Sequence, residues 1–383
     1  MRRLGFLALL LIAVLGGCAS WLDSQLSRPY RGHRPERVFV DIPRGTSRWG
    51  VAEILRHDDV IRSQVAFALF SDWHFRKRLQ AGEYYFDHPM NSREVFWKIS
   101  RGQIYVHTVT VPEGWNLFDI ADELERQGIC GREEFLTAAH DTTLISDLAP
   151  DAHSLEGFLF PSTYEFTRYA TCEQAVKRMV QNFRAVWETI EPASAPPQGV
   201  RLDVLQQVTL ASLVERETPR PDERPLVAGV FYNRLRLGNP LQCDPTVQYA
   251  MELAGNPEKN LRAVDLKLNS PYNTYEHRGL PPGPIANPGE ASLRAAVAPA
   301  VTDYLYFVAN DTGGHAFSRT LAEHNRNVVL YRKRLAQQRR ELEQQRNAAP
   351  NSADPTASPG ASSHPAGASA QPGVAQGGPR RSP

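Results

Sequence analysis

Glu215 and Glu217 stand at the end of a helical run that is apolar on nearly all sides. A carboxyl carried out of a buried helix into a cleft can act as a general acid. Burial disfavours its charged form and raises its pKa toward neutrality. The run comprises Leu205, Val208, Leu210, Ala211, Leu213 and Val214, and Pro219 and Pro221 stop it. Asp222 and Glu223 precede Pro225 at the first turn of a second helix, which Gly238 closes. Residues two apart on a helix are separated by about 200°, so the two glutamates point opposite ways. Glu217 shares a face with Leu210, Leu213 and Val214, whereas Glu215 goes with Val208, Ala211 and Ser212. Periodicity does not choose between them. A pair of solvated or ion-paired helix-end carboxylates beside Arg216 is the alternative reading.

Three further stretches carry polar groups beyond what a scaffold needs. In Leu241–Tyr249, Asp244 before Pro245 reads as an N-cap, with Gln242 in the preceding loop and Thr246 and Tyr249 in the helix. Residues 270–275 (SPYNTY) and 279–289 (GLPPGPIANPG) form a rigid loop rich in amide, hydroxyl and aromatic groups, which suits sugar rings and N-acetyl groups. Residues 304–317 read as a hairpin, with Tyr304–Ala309 and His315–Phe317 as strands. His315 and His324 titrate near neutrality if exposed, but both are expected to hold loops by hydrogen bonding rather than act as bases. The Leu155–Tyr164 turn reads as a hydrophobic hinge packing two domains.

These groups need elements to position them. Residues 1–22 are a targeting segment: Arg2 and Arg3, then about 19 uncharged residues, enough to span a bilayer once. The box ending at Cys18 resembles a lipoprotein cleavage site, which would make Cys18 a lipidation site. Either route exports the chain and tethers it to a membrane. Cys130, Cys172 and Cys243 lack metal-ligand spacing and are expected to be buried apolar fillers, with one disulfide as the alternative. The formal net charge of +1 and the absence of a phosphate-cradling glycine loop give no basis for nucleic acid. An internal repeat relates residues 42–60 to 111–129, with Pro43, Gly45, Val51, Ala52 and Leu55 matching Pro112, Gly114, Ile120, Ala121 and Leu124. Each copy runs from alternating strand to helix and resembles half of a LysM module, a glycan-binding fold. Gly82–Phe86 reads as a strand, Asn91 as a helix start, 173–190 and 331–346 as helices, and 191–200 as a loop. From residue 347 to 383 the Pro, Ala, Gly and Ser content indicates a disordered tail.

Taken together, ASLVERET (211–218), FYNRL (231–235), LQCDPTV (241–247), YNTY (272–275), GLPPGPI (279–285) and HAF (315–317) resemble the successive motifs of the endolytic murein transglycosylases, the MltG or YceG-like family. The similarity runs in order from about residue 38 to 335. It implies an α+β protein with a membrane anchor (1–22), a LysM-like domain (38–106), a second strand–helix unit and hinge (107–165), and a catalytic domain (166–338) whose buried helix carries the acid. The implied activity is that of a lyase cutting nascent peptidoglycan strands internally between N-acetylmuramic acid and N-acetylglucosamine, leaving 1,6-anhydro ends and terminating glycan elongation. A muramidase-type hydrolase and a non-catalytic peptidoglycan-binding scaffold are the alternatives. The family motif, counted from Ala211, places the catalytic glutamate at Glu217, with Glu215 supporting it. Asn233, Gln242, Thr246, Asn273, Thr274 and Tyr275 are the candidates for holding sugar. No metal or cofactor is implied. The expected partners are glycan strands, the inner membrane on its periplasmic side, and cell-wall synthesis enzymes.

Overall fold

The computed structural model describes residues 2–30, 38–190, 199–257 and 260–348; most of the 191–200 loop and the tail from residue 349 lie outside the described residues. The fold is mixed α+β, and contacts divide the chain into two units. One comprises residues 1–109, 123–131 and 163–172, and the other residues 110–122, 132–162 and 173–383. The 38–106 segment lies wholly in the first unit, and the 107–165 segment contributes to both.

The first unit opens with α1 (Arg2–Ser27), whose residues Leu9–Ser27 are long and apolar enough to cross a membrane. Then come β1 (Val38–Ile42), α2 (Arg48–His57), α3 (Gln64–Trp73), β2 (Gly82–Phe86) and α4 (Ser92–Ser100). β1 and β2 pair antiparallel from Val38↔Phe86 to Ile42↔Gly82. The two-residue period turns Val40, Ile42, Tyr84 and Phe86 into a core shared with Leu55, Phe67, Phe96 and Ile99 of the helices. Side chains fix the helix starts. Ser47 and Ser63 each accept a backbone N–H, and Asn91 with Glu94 forms a capping box. Cys130 and Cys172, both in this unit, form a disulfide with Cα atoms 5.6 Å apart. The expectation of buried apolar fillers therefore fails for these two, whose pairing depends on tertiary neighbours no spacing reveals; Cys243 is buried and unpaired.

β3 (His107–Val111), α5 (Leu117–Arg126), α6 (Arg132–Ala138) and β4 (Ser162–Phe166) follow, with β3 paired to β4. The repeat has a backbone basis. Gly45 and Gly114 adopt φ of 83° and 80°, left-handed conformations that favour glycine, and the matched Val51–Ala52–Leu55 and Ile120–Ala121–Leu124 positions are all buried.

The second unit carries α7 (Cys172–Trp187) from Glu173 onward, then α8 (Val204–Glu217), α9 (Arg224–Arg236), α10 (Asp244–Leu253), α11 (Glu290–Val297), the antiparallel hairpin β5 (Tyr306–Ala309) and β6 (His315–Ser318), and α12 (Leu321–Ala348). α8 begins at an Asp203–Gln206 capping box and buries every residue from Val208 to Val214. Pro225 sits in the first turn of α9, and Gly238 follows its end at φ 64°. α11 packs against both α8 and α9. In the 155–164 stretch, read from sequence as a hydrophobic hinge, Leu155, Phe158 and Leu159 are fully buried. Gly157, at φ 85°, lets Pro284 and Val208 approach within 2.5 Å and 2.8 Å of where a Cβ would stand.

Candidate active site

α8 ends where its chemistry begins. Thr218, its C-cap, turns to extended backbone, so Glu215 and Glu217 occupy the last helical turn. The rotation between them gives the two carboxyls different surroundings. Glu215 accepts from Arg224 Nη2 at 2.7 Å and from the Gly289 backbone N–H, at the head of α11, at 2.9 Å. Arg224 also reaches Glu113 at 3.1 Å, and Arg216 donates to the Gly114 carbonyl at 3.0 Å. The Pro-x-Gly turn of the second repeat copy thus braces the end of α8. Burial pushes the Glu215 carboxyl up, against the pull of Gly289 and Arg224, but both its oxygens are engaged by the scaffold.

Glu217 instead lines a pocket whose polar wall is Arg234, Gln242, Asp244, Tyr306 and His324. Desolvation pushes its carboxyl up to about 7; a side-chain hydrogen bond with Cys243 opposes this, and Asp244 adds to it. Burial keeps the Cys243 thiol protonated, so the thiol is the donor. A carboxyl with such a pKa can both give and take a proton near neutrality.

Three neighbours complete the electrostatics. Arg234 on α9 is buried, donates to the carbonyls of Leu305 at 2.8 Å and Leu241 at 2.7 Å, and lies 5.0 Å over the Tyr306 ring. It has no ion-pair partner among the described residues. Its guanidinium is therefore a fixed cation held by carbonyls, and its field acts on Glu217. Asp244 is the first residue of α10 rather than its N-cap, which is Cys243. Pro245 fits either frame, so sequence misplaced the cap by one residue. The Asp244 carboxylate accepts the Tyr275 hydroxyl, and burial raises its pKa. Gln242 holds a left-handed φ of 53°, with Oε1 3.4 Å from Arg234. Backbone in that region costs energy outside glycine and marks a position fixed by its surroundings.

The other sequence-derived sugar candidates spend their polar groups on the scaffold. Asn233 donates to the Thr302 and Tyr304 carbonyls at 2.7 and 3.0 Å. Asn273 donates to Leu266 and Leu268 and accepts from Tyr275 N–H. Thr246 donates to the Cys243 carbonyl at 2.6 Å, and Thr274 accepts from the Cys243 N–H at 3.0 Å. All four are buried. Thr246 and Thr274 thereby hold the loop that presents Gln242 and Asp244, Asn273 holds the 266–275 backbone, and Asn233 holds the 302–304 backbone. His315 is likewise pinned, with Nδ1 2.7 Å from Glu223, whereas His324 reaches the pocket and stacks on Tyr306. Cys18 is exposed on α1, in the first unit. Among the described residues no group of three or more His, Cys, Asp or Glu side chains is placed to hold a metal ion.

The model of the YceG-like family matches residues 40–329. The chain is a member of the YceG-like family. A relative named endolytic murein transglycosylase, from Bacillus subtilis strain 168, is 36% identical over 329 residues, covering 82% of this chain and 89% of the relative. A second of that name, from Streptococcus pneumoniae serotype 2, is 30% identical; 85% of this chain matches 63% of that longer protein. The crystal structure of a YceG-like protein from Listeria monocytogenes is 33% identical, covering 76% of this chain and 99% of that one, with a TM-score of 0.48.

Sequence reasoning on this YceG-like chain missed Arg234 and Asp244 as pocket residues, though both lie inside quoted motifs. It also missed Glu156. That buried carboxyl accepts from Leu117 N–H, the Tyr249 hydroxyl and Asn287 Nδ2, each at 3.0 Å, and desolvation pushes it up to about 8. Asn287 in turn ties the Trp115 and Leu159 backbones. A glutamate within an otherwise apolar turn was the available signal.

Proposed function

We propose that this chain is a peptidoglycan lytic transglycosylase that cuts glycan strands internally, with Glu217 as acid and then base. The observation that carries the reading is the contrast at the end of α8. One glutamate is saturated by scaffold donors, while the other faces a pocket with its carboxyl held near 7. The names borne by the two relatives support the same substrate. Protonated Glu217 gives its proton to the glycosidic oxygen as the C1–O bond breaks and the muramic acid ring becomes oxocarbenium-like. The C6 hydroxyl of that ring then attacks C1, its proton returns to Glu217, and a 1,6-anhydro end is left. One carboxyl used twice contributes about 10²–10⁴-fold, and the intramolecular hydroxyl wins over water when held in near-attack geometry. Gln242 and Tyr275, beside the fixed Arg234 cation, are the groups we assign to holding the sugar; Thr246 and Thr274 we assign to holding the 242–244 loop, and Asn233 and Asn273 to holding the backbone around it.

Asp244 favours a second reading. It is a second carboxylate in the same pocket, and a pair of carboxylates is the usual equipment of a glycoside hydrolase. Mass spectrometry of the products from purified glycan strands separates the two. Anhydro ends from wild type, absent with Glu217→Gln, are the expected result. Reducing ends would assign the protein to the hydrolases, and equal cutting by both proteins would remove Glu217 from the chemistry.

α1 suits an inner-membrane anchor, with a lipid on Cys18 as the alternative. A disulfide within the first unit fits an oxidising, extracytoplasmic compartment. The β1–α2–α3–β2 order, with β1 and β2 antiparallel, supports the LysM-like reading of residues 38–106. Termination of glycan elongation and contact with synthesis enzymes are included in the proposal on the family resemblance alone.

A further inference from the structure

α3 carries an apolar stripe that the first unit does not bury. Val65, Leu69 and Trp73, four residues apart, lie on one helical face, and Phe75 follows. Trp73 is 84% exposed and Phe75 69% exposed. This loop is not frayed. Arg48 donates to the Ser71 carbonyl, to Phe75 O at 2.7 Å and to Lys77 O at 2.8 Å, so three carbonyls behind the aromatic rings are clamped to the start of α2. Directly after Phe75 come Arg76, Lys77 and Arg78, all exposed and without an ion-pair partner among the described residues. Asp72 is the acid at the edge of the stripe.

The position of α3 indicates what covers this face. α1 packs against both α3 and α4 within the same unit. Asp23, the first charge after the apolar run of α1, pairs with Arg93 at 2.7 Å, and that guanidinium lies 6.0 Å from the centroid of the Phe70 ring on α3. α3 is therefore tied to the point where α1 would leave a bilayer. Tryptophan and phenylalanine beside a cluster of cations is the composition of a membrane-interface surface.

We infer that the outer face of α3 and the 74–78 loop form a bilayer-docking surface, seating Trp73 and Phe75 among acyl chains and Arg76, Lys77 and Arg78 on anionic phospholipid headgroups. It rests on the reading of α1 as a membrane anchor. Docking would hold the first unit flat on the lipid surface instead of swinging on its tether.

The test uses the full chain in phosphatidylcholine vesicles containing phosphatidylglycerol and shallow-brominated lipid. The emission of Trp73 is taken as wild type minus Trp73→Phe, and that of Trp21, on α1, as wild type minus Trp21→Phe. Quenching of both is expected. R76Q/K77Q/R78Q should lower the docked-to-undocked ratio by about a hundredfold, near fivefold per cation, as should omission of phosphatidylglycerol. Trp21 quenched with Trp73 untouched would overturn the docking surface and leave the anchor standing. Neither quenched would overturn both. Quenching of Trp73 that is indifferent to the three cations and to lipid charge would overturn the headgroup contact.

Discussion

At the residue scale, Glu215 and Glu217 should separate cleanly under the same substitution. On the proposed mechanism Glu217→Gln removes the proton donor and should cost about 10²–10⁴-fold in strand cutting. Glu215→Gln breaks a buried ion pair and leaves Arg224 with only the more exposed Glu113. The cost should be about 3 kcal/mol of stability, read as a lower urea midpoint with an unchanged slope. The pH profile follows from the raised carboxyl of Glu217. The acid works while protonated, so kcat/KM should be flat well below pH 7 and fall with unit slope as pH rises through about 7. The sign for stability is related. The folded state holds this proton more tightly than the unfolded chain, whose pKa is near 4.5. The benefit is full below that value and is lost as pH rises through about 7. Glu217→Gln, which cannot ionise, should therefore melt higher than wild type at pH 8 and no higher at pH 4. Equal melting at both values would mean that the folded-state shift is absent.

At the element scale, glycine and buried charge set the predictions. Gly157→Ala places a Cβ against Pro284 and Val208 at a left-handed φ, whereas Gly128, also left-handed, faces open space. The first should cost upwards of about 2 kcal/mol and the second about 1 kcal/mol, compared by thermal melting. Glu156→Ala orphans a backbone N–H and a tyrosine hydroxyl and takes one partner from the Asn287 amide, and should cost on the order of 3 kcal/mol. This scale also shows what the sequence made legible. α8, the proline elbow, α9, β2 and the β5–β6 hairpin were all foreseeable, because apolar period and Gly/Pro punctuation are local signals. α3, α6 and β4 were not assigned, since their burial is decided by distant partners. The same limit applies to the site. Glu217 stands out because family motifs resolve what rotation alone left open. Asn233, Asn273 and Thr246 have the right chemistry for sugar, but residue type cannot tell an amide facing a ligand from one facing a carbonyl two turns away.

At the scale of the whole molecule, the disulfide closes a loop with a sequence separation of 42. Loop-closure entropy puts its contribution at about 4 kcal/mol, so Cys130→Ser with Cys172→Ser should melt well below wild type in the absence of reductant. Cys243 brings a different consequence. Burial makes its thiol inert in the finished fold, but a chain emerging unfolded into an oxidising compartment exposes Cys130, Cys172 and Cys243 together, and only one of their pairings is native. A bond from Cys243 to either partner would pull the pocket loop into the wrong unit until exchange released it. In such a compartment folding would set the packing of α10 against the oxidation of its thiols, and the thiol that donates to Glu217 is also the third cysteine able to mispair.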